Sequence, residues 1–259
     1  MAQIRSAITH VLFDLDGTLT DPRLGLVGAI QYALRRLGYP APPEETLLWT
    51  IGPPLRASFA VLLESNDEAL LTDAIEHYRE QYGATGLYEN QVYPGIPEAL
   101  AALQALPVTL FVATSKPHLF ARRIIDHFGL GGYFRHVYGS ETDGRHMDKR
   151  DLLRHILKKE GFAPDAALMV GDRRADMVGA RVNGLWAGGA RYGYGSEEEL
   201  RSAGAGALQH ADGHRALGGG LIVVPDAAHN HPRLFVDVGY HDHNLRIGHR
   251  FDEEWLAVA

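Results

Sequence analysis

The chain reads as an α/β protein in which an open parallel sheet carries an inserted cap of four helices. Three observations predict it. Short apolar runs recur at 11–13, 108–113, 136–139, 167–171 and 185–188, separated by segments of helical period, which is the pattern of parallel strands joined by crossover helices. About seventy residues lie between the first run and Val92 with helical periodicity and no strand pattern, too long for an ordinary strand-to-helix connection. Acidic residues stand directly after two of the runs, where a parallel sheet gathers its loops at one edge.

Taken in order, Val11, Leu12 and Phe13 form a short buried strand that ends at Asp14. Asp21-Pro22 caps a helix running to Gly38, Pro43 opens a second, Pro53-Pro54 a third, and Leu71, Ile75, Tyr78 and Tyr82 mark the apolar stripe of a fourth. The Tyr93-Pro94-Gly95 turn returns the chain to the sheet. Phe120, Ile124, Ile125 and Phe128 form one later helical stripe, and Leu152, Leu153, Ile156 and Leu157 another. Pro117 and Asp148 stand at their starts and Gly129 and Gly161 at their ends. The expected organisation is an α/β core of residues 1–19 and 93–205, a helical cap of 20–92, and an atypical His/Gly-rich tail of 206–259.

Composition narrows the function. With 46% hydrophobic and 22% charged residues among 259, the chain is ordinary globular material that can bury a sizeable core. A net charge of -7 without clustered Lys and Arg argues against a nucleic-acid duplex as partner and favours a small molecule. The absence of cysteine excludes disulfides, thiolate nucleophiles and Cys-ligated zinc. No signal-peptide core and no run of membrane-spanning length is evident, so no membrane is expected as partner and a cytoplasmic location is.

The strongest local signal is the run from Asp14 through Leu15, Asp16, Gly17, Thr18, Leu19 and Thr20 to Asp21, with two carboxylates one residue apart between a buried strand and a glycine loop. Crowded like charges repel, and a divalent cation removes much of that repulsion; oxygen-only ligation points to Mg²⁺. An acidic helix cap is the alternative, and it is the reading adopted for Asp21, which directly precedes Pro22. A second acidic cluster, Gly171-Asp172-Arg173-Arg174-Ala175-Asp176, follows another apolar run. Alone it is a common turn; joined to the first cluster at one sheet edge, it completes a site for a shared cation.

With these motifs the chain resembles the haloacid dehalogenase superfamily, whose phosphatases carry an Asp-x-Asp-Gly-Thr loop, a Thr or Ser after a second strand, a later Lys and an acidic pair. The resemblance spans roughly residues 8–205 and implies a Rossmann-like core. It implies that Asp14 attacks phosphorus to form an aspartyl-phosphate, that Asp16 protonates the leaving oxygen and then activates water, and that Thr114 with the Ser115 backbone binds phosphate. Gly17 and Thr18 join the phosphate-binding residues, and Lys149 stabilises charge, with Lys116 as fallback because Arg150 stands where relatives commonly have Pro. Mg²⁺ would be held by Asp14, the Asp16 carbonyl and Asp172, with Asp176 acting directly or through water. The second aspartate separates the chain from true dehalogenases, and membrane-pump relatives carry Lys in its place.

The nearest subgroup resemblance is to phosphoglycolate phosphatase-like and 5'-nucleotidase-like members with a helical cap. Ile51-Gly52-Pro53-Pro54-Leu55 is similar to their substrate-facing cap loop, and 140–149, 170–176 and Tyr192-Gly193-Tyr194-Gly195 are similar to stretches of the same members. Arg56, beside that loop, is a candidate partner for a substrate carboxylate, against the plainer reading of an exposed helix arginine. The expected function is Mg²⁺-dependent hydrolysis of a small phosphorylated metabolite, phosphoglycolate ahead of nucleoside monophosphates. A sugar phosphomutase and a non-catalytic phosphate-binding scaffold are the alternatives, with monomer and homodimer both open. Beyond residue 206, half of the fourteen histidines and a Gly218-Gly219-Gly220 run mark a break in pattern. There, 221–224 and 234–238 are candidate hairpin strands around Asn230, and polar turns account for His229, His231, His241 and His243 better than metal ligation does.

Overall fold

A computed structural model describes residues 8–141 and 143–205, together with the backbone of 233–241, 244–251 and 254–257. Strand β1 (His10–Phe13) leads through β2 (Thr20–Asp21) into the helical insert: α1 (Arg23–Arg36), two 3₁₀ turns (Glu44–Thr46 and Leu48–Thr50), α2 (Leu55–Leu62), α3 (Glu68–Gln81) and a π-helical turn (Tyr82–Gly86). Strand β3 (Gln91–Val92) then returns the chain to α4 (Ile96–Gln104), β4 (Thr109–Pro117), α5 (His118–His127), β5 (His136–Ser140), α6 (Lys149–Glu160), β6 (Ala167–Gly171), α7 (Arg174–Val182), β7 (Trp186–Gly189) and α8 (Glu197–Ser202).

The main sheet has five strands in the order β5-β4-β1-β6-β7, and every pairing in it is parallel. Strand β1 is central, with Phe13 opposite both Val112 of β4 and Val170 of β6. The strand order reverses on either side of β1, so the loops after β1, β4 and β6 open onto one edge. Both faces are covered. Val11 and Phe13 pack with α4 and α5, whereas Leu12, pointing the other way, packs with Leu152, Leu153, Ile156, Met177 and Ala180 of α6 and α7. Burying a side chain such as Phe13 contributes about 2 kcal/mol, and the same alternation fixes the register of β1.

Local cues start and stop the crossover helices. Asp148 accepts the Arg150 N–H at the start of α6, and Gly161 ends it in the left-handed conformation at φ 75°. Gly129, just beyond α5, takes φ 67°. Pro117 sits at the N-terminus of α5, where a missing N–H is harmless.

The insert differs from the expected four helices. It has three α-helices, and Pro43 opens only the pair of 3₁₀ turns. The physical reason is length, since Pro53 and Pro54 end the segment after about nine residues, too few for more than a turn or two once both ends are pinned by buried Leu47 and Ile51. Ile30 and Leu34 of α1, Phe59 of α2, and Leu71, Ile75 and Tyr78 of α3 belong to the same hydrophobic cluster as Val11 and Phe13 of the sheet. The two connections to the sheet pair with each other as an antiparallel ribbon, Thr20 opposite Val92 and Asp21 opposite Gln91.

In the tail, residues 221–224 lie outside the described residues, as do His229, His231 and His243. The stretch 234–238 is part of β8 (Arg233–His241), which among the described residues pairs with the downstream β9 (Asn244–Phe251), itself paired with β10 (Glu254–Ala257). Among the described residues, β8, β9 and β10 form a three-stranded antiparallel sheet, and the expected hairpin partner at 221–224 lies outside them.

Candidate active site

The edge where β1, β4 and β6 end collects the charged side chains. Asp14 follows β1 immediately, its N–H donating to the Val170 carbonyl at 2.8 Å, so the backbone of β6 sets its position. One carboxylate oxygen, Oδ1, accepts the Leu15 N–H at 2.8 Å. Gly17 then takes φ 82°, and a Cβ there would stand 2.2 Å from Asp172 Oδ2, so both the turn and the close approach demand glycine. Thr18, buried in the same turn, donates its hydroxyl to Asp172 Oδ1 at 3.3 Å.

Asp172 follows β6 and is fully buried, and its Oδ2 accepts the Tyr194 N–H at 2.8 Å. Asp176 lies in the first turn of α7, where its Oδ2 accepts the Arg173 N–H at 3.1 Å, a helix-capping contact that also faces it inward. A Cβ on Gly171 would approach Asp176 Cγ to 2.2 Å, so this inward turn depends on the absent side chain. Asp14, Asp172 and Asp176 each offer an oxygen, and these oxygens lie within 4.8 Å of one another.

Lys149 enters this group from the start of α6. Its Nζ lies 3.1 Å from Asp14 Oδ1 and 2.7 Å from Asp176 Oδ1, and it donates to the Ala113 carbonyl at 2.8 Å. Burial pushes the ammonium pKa down, but the carboxylates of Asp14 and Asp176 outweigh that and hold it above the ordinary lysine value. Burial, reinforced by Asp176 and Asp14, raises Asp172 well above the usual carboxylate range. Burial likewise raises Asp176, to about 6, against the opposing pull of Lys149. Three carboxylates thus face one ammonium, and the surplus negative charge suits an oxygen-seeking divalent cation such as Mg²⁺. Asp14, Asp172 and Asp176 are the residues that could hold it.

Asp16 stands apart from that cluster. Its carboxylate turns toward β4, where Oδ2 lies 2.8 Å from Lys116 Nζ, so its backbone carbonyl is what it has to offer a cation beside Asp14. Its pKa is raised, first by burial, with Lys116 pulling down and Asp14 pushing up; crowding by carboxylates is the lesser cause. Lys116 also donates to the Tyr82 hydroxyl of the insert and lies over that ring at 4.8 Å from its centroid. Thr114 is buried, with its hydroxyl accepting the Lys116 N–H at 3.2 Å, and Ser115 is half-buried between them. The register of β4 against β5 slips between Ala113 and Pro117, which frees this stretch from the ladder at the point where the site begins.

Of the residues singled out from the sequence, the structure brings Asp14, Gly17, Thr18, Lys149, Asp172 and Asp176 into one contact group, with Asp16, Thr114 and Ser115 bordering it. Arg56 is the exception. It lies on the exposed side of the insert, bound to Glu68 and within 3.4 Å of the Thr72 hydroxyl, because α2 and α3 pack side by side and present both partners there. The plainer reading, an exposed helix arginine, is the one that the structure supports.

Four residues escaped sequence reasoning. Tyr82 reads as the end of an apolar stripe, yet its hydroxyl reaches Lys116. Arg173 donates to the Ile51 carbonyl of the insert and pairs with Glu199 at 3.1 Å. Tyr192 donates to the Thr18 carbonyl at 2.7 Å, and Tyr194 donates its hydroxyl to Asp21. The glycines flanking these tyrosines were the available signal, since the loop lies against Asp172; the Tyr82 contact leaves no trace in the sequence.

Comparison with known proteins agrees with this arrangement. The family model described as haloacid dehalogenase-like hydrolase matches residues 11–187. A 5'-nucleotidase of Pseudomonas aeruginosa is 50% identical over 193 residues, 74% of this chain and 87% of the relative. Phosphoglycolate phosphatase 1 of the same organism is 31% identical over 194 residues, 71% of this chain and 70% of the relative. The crystal structure of a predicted phosphatase from Clostridium acetobutylicum superposes with a TM-score of 0.73 at 41% identity, covering 77% of this chain and 92% of that one. The chain belongs to the haloacid dehalogenase-like hydrolase family and is a phosphoric monoester hydrolase within it. Among the described residues no helix is long and apolar enough to cross a membrane.

Proposed function

We propose that the protein hydrolyses a small phosphomonoester with Mg²⁺ through an aspartyl-phosphate on Asp14, and that its substrates are nucleoside 5'-monophosphates. The observation that carries the chemistry is the convergence of Asp14, Asp172 and Asp176 on Lys149.

Asp14 Oδ1 is held by the Leu15 N–H and Lys149, which leaves Oδ2 for phosphorus. Attack forms the Oδ2–P bond as the ester P–O bond breaks, and the departing oxygen takes a proton from Asp16. Water then attacks the same phosphorus, gives its proton back to Asp16, and the Oδ2–P bond breaks to restore Asp14. Lys149, drawn in by two carboxylates, offsets charge that builds on the phosphoryl oxygens, and the Thr114 hydroxyl with the Ser115 N–H orients them. When bound at Asp14, Asp172 and Asp176, Mg²⁺ supplies further charge neutralisation beside the nucleophile.

The order of substrates reverses the sequence expectation for two reasons. Arg56, the one residue proposed to read a phosphoglycolate carboxylate, is engaged by Glu68 on the outer face. The relative at 50% identity is named for nucleotides, the one at 31% for phosphoglycolate. A phosphate-release panel of nucleoside 5'-monophosphates, phosphoglycolate and hexose phosphates with and without Mg²⁺ tests this. Turnover of nucleotides in preference to the others, with labelled phosphate trapped on Asp14 by acid quench, is the expected result; a preference for phosphoglycolate removes the substrate assignment, and isomerised sugar phosphate in place of free phosphate removes hydrolysis.

A further inference from the structure

Lys116 is a second buried ammonium that the hydrolytic scheme does not use. Its side chain is 6% exposed and makes two polar contacts that belong to different parts of the molecule: Asp16 Oδ2 in the core and the Tyr82 hydroxyl in the insert. A lysine buried to this degree is rare unless its charge is satisfied, and here the satisfaction is divided between the two. On Asp16 the division leaves the carboxylate asymmetric, because Oδ2 is taken by Lys116 whereas Oδ1 is buried without a hydrogen-bond partner. An unpartnered buried oxygen is costly, and at a reaction centre it marks the atom kept for a group that arrives later.

The insert is built to present Tyr82 at this point. Helix α3 does not end at Gln81 but loosens into the π-helical turn of Tyr82–Gly86, a geometry that redirects a side chain and is found mostly at functional positions. The ring is fixed on both sides, stacked on Tyr78 at 5.2 Å and edge-on to Phe120 of α5 at 5.8 Å. Gly25 and Gly86 touch so closely that a Cβ on Gly25 would fall 1.9 Å from the Gly86 carbonyl, which locks the turn onto α1. A purely structural tyrosine needs none of this aim.

We propose that Lys116 is a positioning residue which turns Asp16 so that Oδ1 is the oxygen exchanging the proton, and that Tyr82 of the insert holds Lys116 in that pose. The contact Tyr82–Lys116–Asp16 thus links a side chain of the insert to the oxygen that exchanges the proton. The inference rests on the reading of Asp16 as acid and base given above, and it adds the residues that orient it.

The test compares substrates that differ only in how much they need a proton. kcat/KM reads the steps up to departure of the alcohol, so a variant that misplaces the acid loses rate on an alkyl phosphate and little on p-nitrophenyl phosphate, whose leaving group departs without protonation. For Lys116→Met and for Tyr82→Phe, the loss on a nucleoside 5'-monophosphate should exceed that on p-nitrophenyl phosphate by ~10-fold or more, part of the ~10²–10⁴-fold that a positioned acid supplies. The double variant should lose no more than Lys116→Met alone, and Lys116→Arg should regain part of the difference. Tyr82→Phe keeps the ring and its stacking, so it reports on the contact even if Lys116→Met unfolds. Equal losses on both substrates overturn the proposal. A leaving-group effect in Lys116→Met but none in Tyr82→Phe overturns the role of the insert. Asp16→Asn separates the two levels: if it shows the leaving-group effect and the Lys116 and Tyr82 variants do not, only the positioning inference falls, and if Asp16→Asn shows none, the reading of Asp16 falls first.

Discussion

The two sides of the site solve the same electrostatic problem in opposite ways. On the β6 side, Asp14, Asp172 and Asp176 share a single ammonium, Lys149, and are left with surplus negative charge. On the insert side, one carboxylate, Asp16, meets one ammonium, Lys116, and the pair is nearly neutral. The first arrangement carries surplus negative charge that a cation would offset, whereas in the second the charge is balanced although Asp16 Oδ1 has no hydrogen-bond partner. The difference teaches that carboxylates a residue apart in sequence need not share surroundings, since Asp14 joins the cluster that could hold a cation and Asp16 pairs with a lysine of its own.

The sharpest way to break this contrast is Asp14→Asn, which removes the nucleophile while keeping the shape. Turnover of every phosphate ester should fall by ~10³-fold or more, measured by phosphate release. Survival of activity would place the nucleophile elsewhere. Next in size, Asp172→Asn should raise the Mg²⁺ concentration for half-maximal activity at least ~10-fold. The same variant, free of metal, should melt at a higher temperature than the parent at pH 7.5, because it deletes a charge whose burial is uncompensated.

A pH comparison sharpens the contrast without mutation. Asp172 and Asp176 have folded-state pKa values raised above those of an unfolded chain, Asp176 to about 6 and Asp172 well above the usual carboxylate range. A group raised in this way favours folding below its unfolded pKa and withdraws that support as pH rises through its folded pKa. Stabilisation by Mg²⁺ should therefore be larger at pH 7.5 than at pH 5.5, read as the shift in melting temperature on adding the metal, since protons compete for the same oxygens. Equal shifts at both pH values would remove the carboxylate cluster as the binding site. The smallest effect is expected at Arg56→Ala, whose exposed guanidinium is engaged by Glu68. An exposed ion pair contributes no more than ~1 kcal/mol, and kcat/KM should change by less than about 2-fold.

Much of the fold was legible because its signals are local. The five apolar runs and the stripes at Phe120–Phe128 and Leu152–Leu157 translate directly into strands and crossover helices, since a fully buried parallel sheet tolerates few polar residues. Asp14, Asp172 and Asp176 were equally readable, as each stands where a strand ends or a helix begins. The insert was legible only in part: Pro43 marks a helical start but cannot say that the next prolines leave room for 3₁₀ turns alone. Arg56 misled because a guanidinium near a glycine-proline loop suits a ligand as well as it suits Glu68, and only the packing of α2 on α3 decides between them. In the tail, the pairing of 234–238 with β9 was unreadable because strand pairing is a choice among segments of similar pattern.

By itself the sequence determined that acidic loops close successive parallel strands, and with that the kind of chemistry this protein performs, because residue type and strand position are properties of the chain. Only the tertiary structure decided which lysine answers which carboxylate. Lys116 lies two residues from Thr114 and Lys149 at the head of a distant helix, and nothing in their spacing tells that Lys149 reaches Asp14 while Lys116 reaches Asp16 and Tyr82. Charge pairing in a buried site is set by distances of a few ångströms between groups far apart along the chain, and those distances exist only once the sheet, the crossover helices and the insert have packed.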